Sequence, residues 1–127
     1  MTRSPLPIVV AAFAVAAWLV PAAAFAGDAA AGKEKYAMFC ETCHGPSGKG
    51  DGPGGAALQP PPRDFSAGDF KFDANGNGKA GEDEDLKLVI TNGATAYGGS
   101  PLMTPWGGAL TEQDIDNLVA YVRSLKQ

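Results

Sequence analysis

Both cysteines and the single histidine of this 127-residue chain fall in one pentapeptide, Cys40-Glu41-Thr42-Cys43-His44. Four chemistries compete for such a cluster. A structural disulfide across two intervening residues closes a tiny loop and stabilises little. A thioredoxin-like redox pair needs a βαβ setting, whereas the flanks here read as helical and Gly-rich. A zinc site needs about four ligands, and only carboxylates are left to complete one. The fourth reading is attachment of a c-type haem, and it is the favoured one. Two thiols add to the two vinyl groups as thioethers, and the adjacent imidazole is set against the iron. On one helical turn, both sulfurs and the ring reach the same haem face.

A haem iron needs a second axial partner, or stays open to ligands. With no other histidine, two-histidine coordination within the chain is excluded. Met, Lys, Tyr, an amine terminus or water remain. Met38 precedes Cys40 by two residues and is expected to pack in the core, because its helix serves the histidine side. Met103 lies 59 residues after His44, in Ser100-Pro101-Leu102-Met103-Thr104-Pro105-Trp106. Two prolines stiffen that loop. A thioether paired with imidazole favours Fe(II) and raises the reduction potential. Met103 is therefore the expected axial ligand.

The composition asks for such a cofactor. Residues 1–26 hold 20 of the chain's apolar residues. From Gly27 onward there are seven Leu, two Ile, three Val and four Phe, but all 17 Gly and seven of the ten Pro. Sixteen strong core-formers exclude two domains and a large self-sufficient core. Something other than side chains must help fill the interior. Met1–Ala26 reads as a cleavable export signal: Arg3, an apolar run Ile8–Val20, Pro21, then Ala24-Phe25-Ala26. Cleavage is expected after Ala26, leaving residues 27–127 as one domain in the periplasm, where c-type haem attachment occurs. The run is short for a membrane span, so no membrane insertion is expected after cleavage. Nine Lys and Arg against fourteen Asp and Glu from Gly27 onward give a formal charge of −5. That disfavours nucleic acid as a partner.

Three helices are expected to position these groups. Ala29–Cys43 places Gly32, Tyr36 and Cys40 on one face, and the glycine there permits close approach of another helix. Thr111-Glu112-Gln113-Asp114 is a capping box that opens a helix to about Lys126. Its stripe is Ile115, Leu118, Val119, Val122 and Leu125. Glu82–Thr91 fits a shorter helix ended by Asn92-Gly93, with Leu86, Val89 and Ile90 facing one way. No useful strand pattern appears.

From Ala29 to Lys126 the chain resembles a class I c-type cytochrome. The Gly32/Tyr36/Cys40 face resembles that family's first helix, and Leu118, Tyr121 and Val122 match the surface of its last helix. The motif at 40–44 and the late Met103 match the two iron ligands. The resemblance implies a small all-α fold, three to five short helices wrapped around one covalently attached haem with long Gly/Pro-rich loops. It implies that Cys40 and Cys43 carry the haem while His44 and Met103 ligate its iron. It also implies a backbone carbonyl that accepts from the proximal imidazole, expected at Pro60 or Pro61.

Other loop residues carry weaker signals. Gly50–Gly55 spells G-x-G-x-x-G but follows no strand, so close backbone passage is expected rather than dinucleotide binding. Arg63 pairs with a haem propionate or lies on the surface. Trp106 is expected to pack in the haem pocket, with its indole N–H free to reach a propionate. Asp73–Glu84 fits an EF-hand loop at every fixed position. Asp73, Asn75, Asn77, the Lys79 carbonyl and a bidentate Glu84 would bind Ca²⁺ there. A solvated Asn/Gly turn is the competing reading.

These readings lead to a periplasmic monohaem electron carrier, not an enzyme, monomeric in isolation and working between redox protein partners. A haem subunit of a larger oxidoreductase is the rival. A ligand-binding or peroxidatic haem protein is a third reading, and a missing distal histidine weighs against it.

Overall fold

The alanine-rich stretch after Asp28 has few polar groups to compete with its backbone, and it opens as helix. In the computed structural model, which describes residues 27–127, this first helix, α1, spans Ala29–Phe39. The export signal expected at 1–26 lies outside the described residues. The Asp28 carboxylate caps α1 by accepting from the amides of Ala30 and Ala31 at 2.8 and 3.3 Å. The expected single helix to Cys43 is broken at Cys40, where φ is −118°. A second short helix, α2, covers Glu41–His44. On either side of the break, Cys40, Cys43 and His44 all line one cavity. Met38 is 61% exposed, contrary to the core packing expected of it. It sits two residues from buried Tyr36, about 200° around the helix, and so faces solvent.

Helix α3 spans Asp83–Asn92, and its capping box pairs Glu82 with Asp85. It ends at Gly93, where φ of 78° suits only glycine. A 3-10 turn, Ala94–Tyr97, follows. Helix α4, Glu112–Ser124, opens on the expected box: Thr111 Oγ1 accepts from Asp114 N at 3.1 Å, and the Asp114 carboxylate accepts from Thr111 N at 3.1 Å. Ile115, Leu118, Val119 and Val122 are buried as their spacing requires. There is no strand among the described residues.

The apolar core is small. It joins Tyr36, Leu86, Leu110 and the α4 stripe, with Phe65, Phe70 and Trp106 against it. Helix α1 packs on α4 through Gly32. A Cβ on Gly32 would lie 1.9 Å from the Asn117 carbonyl oxygen, closer than any real contact. Asn117 fastens the same crossing, its Oδ1 accepting from Asp28 N at 2.8 Å. Tyr36 and Tyr121 meet edge to face at 5.0 Å. The Tyr36 hydroxyl donates to the Gly45 carbonyl at 2.7 Å and so ties α1 to the end of α2.

Gly32→Val must push α1 off α4, since its obstacle is backbone rather than a flexible side chain. A loss of more than about 3 kcal/mol is expected, at the upper end for overpacking. Guanidinium melts of the cofactor-loaded protein would measure it.

Candidate functional site

One cavity of about 330 Å³ adjoins the core. Its walls are mostly carbon: Phe39, Leu58, Pro60, Pro61, Pro62, Phe65, Phe70, Phe72, Leu86, Val89, Ile90, Leu102, Trp106 and Val122. Cys40, Cys43, His44 and Met103 line the same space. Both thiols are free of any disulfide. Burial, and then the neighbouring Cys43, push the Cys40 thiol up to about 12.

His44 is held from two directions. Its Nδ1 lies 3.3 Å from the Arg63 carbonyl oxygen. Phe65 stacks on its ring at 4.4 Å, 19° from parallel. Burial lowers the imidazole's pKa, against the opposing pull of the Arg63 carbonyl. A neutral ring that donates from Nδ1 keeps its Nε2 lone pair for a metal. The carbonyl was expected from Pro60 or Pro61; it is Arg63's. Both prolines line the cavity wall instead. The chain comes onto His44 only further on, because Gly50 leaves room for it: a Cβ there would sit 2.4 Å from the Pro62 oxygen. Phe65 N then donates to the Gly48 carbonyl at 2.6 Å. The Arg63 guanidinium is engaged with Asp69, donating from Nε to its carbonyl at 2.7 Å.

The glycine loop braces α2. Gly50, Gly52 and Gly54 donate to the carbonyls of His44, Cys43 and Thr42 at 2.8, 3.2 and 2.8 Å. Those oxygens have no partner inside a helix that ends there. A side chain on Gly52 or Gly55 would strike the Thr42 or Cys43 carbonyl. Met103 is positioned in the same manner by the end of α3 and the 3-10 turn that follows it. Its carbonyl accepts from Ala94 N at 3.0 Å. Trp106 N and Gly107 N cap the carbonyls of Ile90 and Thr91 at 3.0 and 3.1 Å. The Trp106 ring lines the cavity and meets Phe39 at 5.3 Å.

Residues 29–126 match the family model described as Cytochrome c. The chain belongs to the cytochrome c family. Cytochrome c-554(547) of Halothiobacillus neapolitanus is 37% identical over 103 residues, 80% of this chain and all of that protein. Cytochrome c6 of a Picosynechococcus species is 33% identical over 101 residues, 78% of this chain and 74% of its own. Among solved structures, a chain of the reducing HAO-like protein complex of Kuenenia stuttgartiensis is 34% identical with a TM-score of 0.62. The match covers 76% of this chain but only 41% of that one. The c-type cytochrome KustC0563 is 30% identical with a TM-score of 0.50, the match covering 98% of its length. The protein is a class I c-type cytochrome, a monohaem electron carrier with one covalently bound haem c. The site fits that group: an apolar cavity edged by two thiols, an imidazole and a thioether.

Phe65, Phe70 and Phe72 escaped the sequence reading, although aromatics amid Gly, Asp and Ser are a signal. The loop expected at 73–84 to bind calcium folds as a run of turns held by its own side chains. Asp73 Oδ1 and Oδ2 accept from the amides of Asn77 and Gly78 at 3.0 and 2.8 Å, and Asn77 Oδ1 accepts from Lys79 N at 2.8 Å. Asn75 Oδ1 accepts from Asn77 N at 3.0 Å. These oxygens close local turns. Glu84 lines, with Lys87, Leu88 and Asp116, a groove between α3 and α4.

Asp85, 1% exposed, is the acid that serves this loop. It accepts from Ala74 N, Asn75 N and Glu82 N at 2.8, 3.1 and 2.9 Å. Burial opposes its charge, but these amides overcome the penalty and hold the carboxyl below the usual range. A depressed folded pKa stabilises above the unfolded value of about 4. The contribution is lost as pH falls through the folded value. Asp85→Asn should therefore lower the Tm at pH 7. Its deficit against the unaltered protein should narrow below about pH 4, as thermal melts across pH would show.

Proposed function

We propose that residues 27–127 form an exported carrier domain, with Cys40 and Cys43 as the thioether attachments and His44 and Met103 as the iron's axial ligands. One observation carries this reading. The cavity that takes both thiols and the sole imidazole also takes Met103, while Met38 faces solvent on α1. When bound there, the haem supplies an iron that accepts and returns one electron. The protein's part is to hold the ligands still and keep water out. The Arg63 carbonyl fixes the His44 ring and raises its basicity. The loop clamped to α3 presents the Met103 thioether, which favours Fe(II). Carbon walls lower the local polarity. No second histidine exists to act as a distal base, which weighs against peroxidatic chemistry.

The export signal at 1–26 supports a periplasmic location and one-electron partners there, with the protein monomeric by itself. None of the described helices is long and apolar enough to cross a membrane. The acidic balance suits a basic docking face on a partner and disfavours nucleic acid. A second reading, a haem subunit within a larger oxidoreductase, is favoured by one observation: the similar chain of the Kuenenia complex is more than twice as long as the region matched. Co-purification of a tight partner separates the two readings.

Spectroelectrochemistry of the haem-loaded protein tests the ligands. Met103→Ala should lose the Met–Fe(III) charge-transfer band and bind CO rapidly when reduced. Its midpoint potential should fall by well over about 60 mV, the tenfold step of a one-electron couple. An unchanged potential and unchanged ligand resistance would exclude Met103.

A further inference from the structure

The segment Arg63–Asp69 is closed on itself by one side chain. Arg63 Nε donates to the Asp69 carbonyl at 2.7 Å. Its Nη2 donates to the same carbonyl and pairs with the Asp69 carboxylate at 3.1 Å. Inside the closed segment, the Asp64 carboxylate accepts from Ser66 N and Oγ at 2.8 and 2.6 Å. Gly68 N donates to the Phe65 carbonyl at 3.0 Å. Lys71 adds only an exposed ion pair to Asp69.

Both groups that hold His44 belong to this closed segment. The Arg63 carbonyl meets Nδ1, and the Phe65 ring covers a face of the imidazole. Loops are the mobile parts of small proteins, and a loop with few buried contacts opens easily. A carbonyl and a ring on such a loop would hold the imidazole loosely. A guanidinium fork gripping main chain six residues ahead removes that freedom, because its donors are planar and fixed relative to each other.

We propose that Arg63 is the positioning residue for the proximal imidazole: its guanidinium closes the 63–69 loop and so fixes both the acceptor of His44 Nδ1 and the ring stacked on it. The side chain's task is closure rather than pairing with a haem carboxylate. The two roles differ in what they tolerate. A carboxylate partner accepts any cation of suitable length, lysine included. The closure needs the fork, and its main acceptor is a carbonyl that no substitution at position 69 removes.

The proposal rests on His44 as an iron ligand, and haem-loaded Arg63→Lys and Asp69→Ala test it. In Arg63→Lys the charge stays and the fork goes. The His44 Nδ1–H should then exchange with solvent about tenfold faster, followed by NMR. The midpoint potential should rise, because a less basic imidazole stabilises Fe(III) less. Asp69→Ala keeps the carbonyl and removes two exposed ion pairs, those with Arg63 and Lys71, so its exchange should stay within about threefold of the unaltered protein. Unchanged exchange and potential in Arg63→Lys, or equal acceleration in both variants, would overturn the proposal. If Arg63→Lys does not take up haem, Arg63→Gln, with one neutral donor group, carries the same expectation and the same refutation. A spectrum of the unaltered protein without histidine ligation overturns the ligand reading instead, so the two failures are distinguishable.

Discussion

Everything in this molecule hangs on the bare contact between α1 and α4. Gly32 lets the two backbones touch, and Asn117 locks the crossing through the Asp28 amide. The contact fixes where α1 points, and α1 ends at Cys40. It also fixes α4, whose Val122 forms part of the cavity wall. The thiol-bearing turn is thus placed relative to that wall by two helices that contribute little else to the site. The lack of a side chain at Gly32 does this where any Cβ would clash, because the gain lies in proximity rather than in buried area.

A second rule governs the loops. Helices that stop short leave carbonyls unpaired, and here other parts of the chain use them. The glycine loop takes those of α2, while the segment around Trp106 takes those of α3. In both cases the helix end bears on a residue proposed as an axial ligand: His44 closes α2, and Met103 sits in the segment clamped to α3. Main-chain bonds of this kind do not depend on side-chain rotamers. They give the two residues stable settings in a domain whose own core is thin.

Much of this could be read from the residues alone. The Cys40–His44 cluster, the Thr111 capping box and the α4 stripe each carry local chemistry, and each sits where that chemistry put it. What escaped reading has physical causes. The break at Cys40 is a local change of φ to −118°, which helical periodicity does not report. The acceptor on His44 is a main-chain carbonyl, and carbonyls have no residue signature, so two prolines looked as suitable as Arg63. Glu84 and Asp85 are neighbours about 100° apart on a helix. A motif that counts positions points to the first, while the second holds the loop's amides. Met38 is a plainer lesson: its offset from Tyr36 already placed it on the outer face.

The hydrogen bond from Asp28 to Asn117 spans 89 positions of sequence. Helical proteins usually fold quickly because their contacts are local. This one is helical in content but circular in topology. Its principal helix pair forms only after most of the chain has been drawn into a ring, an entropic cost that rises with the logarithm of ring size. Once shut, the ring encloses every loop that touches the cavity. Opening at the α1–α4 clasp would free both ends of that ring at once.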